Sequence, residues 1–275
     1  MDVSLLALAA LGFVAGAYGT IIGAGGGFIL VPALLLLYPK YGPAEITAIS
    51  LAVVWANATS GSIAYARQRR IDYVTGLLFA GSSLPGVIAG ALVVHLVPER
   101  VFAMLFGVLL LAIATVILRR SPTAIRQPLS AQGLLVRRVV VADGVTYRYG
   151  YKVWQGVLLS LGVGFVSSLF GIGGGIIHVP AMIMLLHFPI QFAVATSQFI
   201  LAFMSGGATV AHLLNGSLAS QELVRAAALG AGAIPGAQVG AQISHRLRGR
   251  GVLALLSIAL VLLAGRLIVK GILDM

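Results

Sequence analysis

Two short runs of glycine are the residues best suited to chemistry in this chain. Gly23-Ala24-Gly25-Gly26-Gly27 is followed by Pro32, and 148 residues later Gly171-Ile172-Gly173-Gly174-Gly175 is followed by Pro180. Both runs interrupt long apolar stretches. Glycine tolerates backbone conformations that other residues avoid, and consecutive glycines break a helix. A helix that restarts after such a break presents free N–H groups and the positive end of its dipole, to which an anion can come close. Close packing of helices through small residues is the other use of such glycines in membranes. It does not account for two matched breaks in two halves of one chain, which is the sequence pointer to a transporter binding site. The runs lack the Gly-Lys-Ser/Thr ending of a nucleotide phosphate loop, so ATP binding is not expected.

Neutral polar residues accompany the breaks. Ser50, Trp55, Asn57, Thr59 and Ser60 lie on the segment after the first break, and Thr196, Ser197 and Gln198 on the segment after the second. Gln238 and Gln242 lie one helical turn apart further on. Hydroxyls and amides donate to oxyanion oxygens, and they also bond neighbouring helices to one another. His178 stands three residues after the second glycine run, where the first half has Leu30. It reads either as a partner for an anion or as a hydrogen-bonded structural histidine. His95, His187, His212 and His245 fall near segment ends and read as interfacial. The candidate substrate-binding set is therefore Gly25, Gly26, Gly27, Gly173, Gly174 and Gly175, with Ser50, Asn57, His178, Thr196, Ser197 and Gln198.

The seven acids are Asp2, Glu45, Asp72, Glu99, Asp143, Glu222 and Asp274. All fall at termini, in loops or at segment ends. No carboxylate sits at mid-membrane, where proton and sodium relays keep one, and none forms an acid–base pair. There is no cysteine, which excludes thiolate metal sites and disulfides. No catalytic group, metal or cofactor is expected.

The elements that position these residues follow from composition. The chain has 275 residues, of which 59% are hydrophobic and 9% charged, with a mean hydropathy of +1.04. Soluble domains carry about a quarter charged residues, so this is an all-α polytopic membrane protein. The N-terminus, with Asp2 and no basic residue before the apolar run, does not read as a signal peptide. Apolar segments span 4–22, 26–38, 44–66, 73–97 and 99–118, then 153–170, 174–187, 190–213, 221–244 and 251–270. The segments after the glycines rise only ~21 Å for ~14 residues, short of a bilayer. The glycine turns should therefore lie inside the membrane, which is tolerated where backbone faces protein or a cavity.

The net charge of +11 reads as basic cytoplasmic loops rather than as nucleic-acid binding. Thirteen of the 18 Lys and Arg lie at 67–70, 119–152 and 246–250. These loops share one side only if each glycine break separates two legs. That gives two inverted repeats of about five helical segments, each with a glycine-broken hairpin, and both termini outside. The repeats are 1–118 and 153–275, joined by a connector, 119–152. Ser83-Leu84-Pro85-Gly86 to Gly90 parallels Ala233-Ile234-Pro235-Gly236 to Gly240, and Ala48-Ile49-Ser50 parallels Ala195-Thr196-Ser197. In the connector, Val139–Ala142 and Val145–Tyr149 flank Asp143-Gly144 and predict a β-hairpin, packed on the cytoplasmic face because a lone hairpin is marginal.

Taken together, Gly-x-Gly-Gly-Gly in each half, the proline five residues on, Ala-Thr-Ser and the two Pro-Gly-x-x-x-Gly motifs resemble the TauE/SafE family of sulfite exporters. The resemblance covers nearly the whole chain. Ala48-Ile49-Ser50 departs from it in lacking the threonine that stands at 196. It implies a secondary transporter of the bacterial inner membrane, or the archaeal plasma membrane, that moves sulfite, organosulfonates or related small anions. The expected partners are that anion and the lipid bilayer, with no nucleic acid, and a homodimer left open. A passive anion channel and a membrane-embedded enzyme are the rival readings; a channel would show flux that does not saturate, and an enzyme would form product without a gradient.

Overall fold

The computed structural model describes residues 4–119, 135–140, 146–244 and, of the tenth segment, residues 257, 258, 260–262 and 265 as helix. Among the described residues, nine continuous helices and one hairpin run in the order α1 Leu5–Ile22, α2 Gly27–Leu37, α3 Pro43–Arg67, α4 Tyr73–Val93, α5 Glu99–Arg119, β1 Leu135–Val140, β2 Thr146–Tyr151, α6 Val153–Phe170, α7 Gly175–Met184, α8 Ile190–Leu214 and α9 Ser220–Ser244. A single 3-10 turn, Val94–Leu96, extends α4.

Six of these, α1, α3, α4 with its 3-10 turn, α5, α6 and α8, are long and apolar enough to cross a bilayer. The chain is a multi-pass membrane protein. The 25-residue α9 is long enough but carries Glu222, Arg225, Gln238 and Gln242. By contrast, α2 and α7 have 11 and 10 residues, about 16 Å each, half the ~30 Å hydrocarbon core.

Local chemistry explains the boundaries. Ser4 caps α1 by accepting from the Ala7 N–H at 3.3 Å, and Asp72 caps α4 through the Thr75 N–H at 3.3 Å. Pro43 opens α3 at its first position, where its missing N–H costs nothing. Gly23 and Gly171 close α1 and α6 in the left-handed conformation. Pro32 and Pro180 sit inside α2 and α7. Each leaves without a partner the carbonyl four residues earlier, on Phe28 and Ile176.

The helices pair across the chain. Glycines of α9, Gly232, Gly236 and Gly240, lie against the α1 backbone at Ala9, Phe13 and Ala17, while Gly86 and Gly90 of α4 lie against α6 at Leu161 and Phe165. Both Pro-Gly-x-x-x-Gly motifs thus form close helix contacts, as small residues do in membranes. The α3–α9 seam is polar: Gln238 donates to the Ser60 carbonyl at 2.7 Å and Ser60 Oγ donates to the Ile234 carbonyl at 2.8 Å.

The ends of the short helices return to the starts of their partners. Ser4, Leu5 and Leu8 of α1 share a pocket with Tyr38, which follows α2. Tyr151, two residues before α6, packs on Phe188, beyond α7, at 5.2 Å between ring centroids. Each glycine break therefore joins two legs of a hairpin. In the connector, β1 and β2 pair antiparallel from Leu135↔Tyr151 to Val140↔Thr146; the Asp143-Gly144 turn lies outside the described residues.

Candidate functional site

The two glycine turns are built alike. Gly23, Gly25 and Gly26 have φ of 75°, 76° and 83°, and Gly171, Gly173 and Gly174 have 70°, 78° and 84°. Side chains rarely adopt that region, so glycine is required along each turn. The turns touch one another. A methyl group at Gly27 would lie 2.5 Å from the Gly171 carbonyl oxygen, and one at Gly175 would strike Gly23 and Ala24.

Two serines brace this contact reciprocally. Ser50 of α3 donates to the Gly171 carbonyl at 2.6 Å, and Ser197 of α8 donates to the Gly23 carbonyl at 3.0 Å. Each serine thus reaches from the helix after one turn to the other turn. Val54 and Leu201 complete the enclosure, since methyls built at either Gly25 or Gly173 would meet both. Both turns and both of these side chains are fully buried.

Inside this enclosure several donors are open. No acceptor, among the described residues, meets the N–H of Gly26, Gly27, Gly173, Gly174 or Gly175. Buried backbone N–H groups are nearly always paired. Five open ones at two abutting helix starts, with no acid beside them among the described residues, have the chemistry to receive a negatively charged group.

Side-chain chemistry differs between the turns. At the first, Asn57 donates from Nδ2 to the Gly25 carbonyl at 3.3 Å and accepts from Thr20 Oγ1 at 3.3 Å. Gln198 donates to Thr20 Oγ1 at 3.2 Å, and Tyr65 donates to the Thr20 carbonyl at 2.8 Å. Gln198 Oε1 is buried without a partner. At the second turn the position matching Asn57 is Met204, whose methyl crowds Gly174, and that matching Gln198 is Leu51. The counterpart of Thr20 is Ser168, whose hydroxyl is buried and unpartnered, like that of Thr47. His178, wholly buried, sits 3.1 Å from Ser160 through Nε2, while Nδ1 has no partner.

All twelve residues singled out in the sequence lie on the turns or on the helices that flank them; of the side chains, Ser50, Asn57 and Ser197 bond turn carbonyls, whereas His178 meets Ser160 of α6. Ser50 and Ser197 commit their protons to turn carbonyls. Thr196 faces elsewhere: its Oγ1 accepts from the Asp72 N–H at 3.0 Å, at the start of α4.

Asp72 anchors a cluster that the sequence reading missed. It is buried, and its Oδ2 accepts from Tyr149 and from Thr75, both at 2.7 Å. The Thr75 and Tyr151 hydroxyls are also 2.7 Å apart. These bonds, with Tyr149 on Phe188 at 4.4 Å, dock the hairpin onto α4 and the α7–α8 turn. Capping and tyrosine register were the available signals. His212 is not interfacial: it is fully buried, 6.2 Å from the His95 ring.

Buried helix breaks within a bundle of helices long and apolar enough to cross a bilayer are the layout expected of a membrane transport protein. The family model for the sulfite exporter TauE/SafE matches residues 8–267, and the chain belongs to that family. The chain is 33% identical over 276 residues to the probable membrane transporter protein YunE of Bacillus subtilis, covering 98% of this chain and 99% of that protein. It is 27% identical to a probable membrane transporter protein of Methanocaldococcus jannaschii, over 74% of this chain and 70% of the relative. Another, from Xylella fastidiosa, is 27% identical over 64% and 62%. No solved structure matches. The chain is a membrane transporter rather than an enzyme.

Proposed function

We propose that this protein is a secondary transporter that carries sulfite, an organosulfonate or a related small anion across the cytoplasmic membrane. The observation that carries the reading is the pair of abutting glycine turns with five open, buried N–H groups. The anion sits between the turns. The N–H groups of Gly26, Gly27 and Gly173–Gly175 hold it, with Asn57, Gln198 and His178 supplying neutral donors, while the Gly25 N–H is already committed to the Gly19 carbonyl. Ser50 and Ser197 keep the turns in register, and Thr196 ties α8 to α4.

The repeats, 1–118 and 153–275, have inverted orientation. Supporting this, the first hairpin opens beside Tyr38, before α3 begins, and the second beside Tyr151, near the Asp72 cluster that follows α3. The 25 residues of α3 rise about 37 Å, enough to separate two membrane faces. Basic residues at 67–70 and in the connector make the second face cytoplasmic, and the hairpin docks there. Rearrangement of one half against the other then exposes the anion alternately. Burial of Val54, Leu201 and both turns favours a carrier over an open channel.

The test is flux into proteoliposomes. Sulfite uptake should saturate and be inhibited by small sulfonates. Purified protein that moves neither sulfite, sulfonates nor small carboxylates would overturn the reading, and flux that never saturates would identify a channel.

A further inference from the structure

A second feature fits an anion, at the opposite end of α3 from the arginine-rich loops. A pocket of about 590 Å³ opens between the start of α1, the end of α2 and the start of α9, lined by Ser4, Leu5, Leu8, Tyr38, Ser220, Gln221, Val224 and Arg225. The Arg225 guanidinium carbon lies 4.5 Å from the Tyr38 ring centroid and 4.9 Å from that of Tyr41. Stacking on tyrosine faces offsets part of the cost of removing the charge from water, but a ring face is no substitute for a directed acceptor. Arg225 Nη1 is buried and has no hydrogen-bond partner.

That is an unusual state for arginine. A guanidinium is always charged and carries five donors in a fixed fork that matches an oxyanion. Among the described residues no carboxylate pairs with it. Glu222, one turn earlier on α9, does not line the pocket. The Tyr41 hydroxyl, against the same guanidinium, is likewise buried and unpartnered. Ser4 accepts a backbone bond, which leaves its proton to donate. Among the described residues the site therefore offers a held cation and neutral polar groups, and no carboxylate to pair with it.

We propose that Arg225, with the Ser4 and Gln221 donors that line the same pocket, forms a peripheral site for a small oxyanion of the sulfite or sulfonate class. It concentrates the anion at the outer mouth and hands it to, or receives it from, the glycine turns. This proposal rests on the reading above for the identity of the anion, but binding at Arg225 can be measured without transport.

The experiment is calorimetric titration of sulfite into the full-length protein in detergent, with Arg225→Gln, Arg225→Lys, Gln221→Glu and Asn57→Ala compared. Loss of a charge-assisted bond is worth about tenfold in affinity. Arg225→Gln should weaken one class of binding by about that factor, and Arg225→Lys by less. Gln221→Glu, on an exposed side chain in the pocket lining, should weaken it through repulsion even if Arg225→Gln fails to fold. Asn57→Ala should leave that class intact. If Arg225→Gln or Gln221→Glu binds sulfite as the unmodified protein does, the proposal is overturned. If Arg225-dependent binding is present but no anion is transported, the transport reading fails and the peripheral site stands.

Discussion

The two glycine turns share a backbone and differ in what surrounds it. Their φ angles agree within a few degrees, each abuts the other, and each has one carbonyl held by a serine from the far side. Yet the first turn is wrapped by Thr20, Asn57, Gln198 and Tyr65, whereas the second faces Met204, Leu51 and an unpartnered Ser168, with His178 beyond. The common part sets the position of the open N–H groups. The unlike part gives an otherwise symmetric cradle a polar wall and an apolar wall. A symmetric site would suit a symmetric ion. Under the proposed reading, one wall more polar than the other suits an anion with a charged head and a small apolar side, such as a sulfonate.

Substitutions that leave the common part intact or destroy it separate these contributions. The largest effect is expected from Gly27→Val and Gly175→Val. Each side chain would collide with the backbone of the opposite turn, and no rotamer relieves a clash at Cβ. Transport should fall at least a hundredfold in both, measured as initial sulfite flux at equal protein density. A strong loss in one alone would show that the turns are not equivalent supports.

Next comes the contrast between walls. Asn57→Ala leaves the Gly25 carbonyl without its side-chain donor and the Thr20 hydroxyl proton without its acceptor, at a cost of about 1–3 kcal/mol. Met204→Leu conserves volume, and such swaps cost less than about 1.5 kcal/mol. Sulfite KM should rise about tenfold or more in the first and change less than threefold in the second. Equal effects would remove the distinction between a polar and an apolar wall.

Much of this arrangement was legible in the sequence, for identifiable reasons. Glycine and proline punctuate apolar sequence sharply, so α1 was expected over 4–22 and runs 5–22, and the short legs after each turn were recognised as too short to span. The shared motifs placed Ser50 and Ser197 at matching positions. Their partners were not legible, because Ser50 binds a carbonyl 121 residues away. Such pairing depends on which helices pack, and lipid-facing and core-facing surfaces are equally apolar in a membrane. The same limit hid Asp72: the sequence places it in a loop or at a segment end, whereas in the fold it is buried and bonded by Tyr149 and Thr75. Thr196 was assigned to the site by its place in a motif, but a helical step of one residue turns its side chain about 100° away from that of Ser197.

The reciprocal braces predict a smaller and symmetric effect. Ser50→Ala and Ser197→Ala each orphan one buried carbonyl, so each should destabilise the protein by about 1–3 kcal/mol, seen as similar falls in unfolding midpoint in detergent. A difference of more than twofold between them would break the symmetry argued for the turns. The smallest effect on transport belongs to a site remote from both: Tyr149→Phe removes one hydrogen bond to the Asp72 carboxylate, worth about 1.5–3 kcal/mol of stability. The unfolding midpoint should drop while sulfite KM is unchanged.

The central claim is that the anion is held between the turns. Selenite has the shape and charge of sulfite and carries an atom that can be located by anomalous scattering. In crystals of the protein grown with selenite, the account predicts a selenium peak within about 4 Å of the N–H groups of both Gly26–Gly27 and Gly173–Gly175, a hydrogen-bond length plus the Se–O bond. Protein that transports sulfite but shows no selenium between the turns would contradict it.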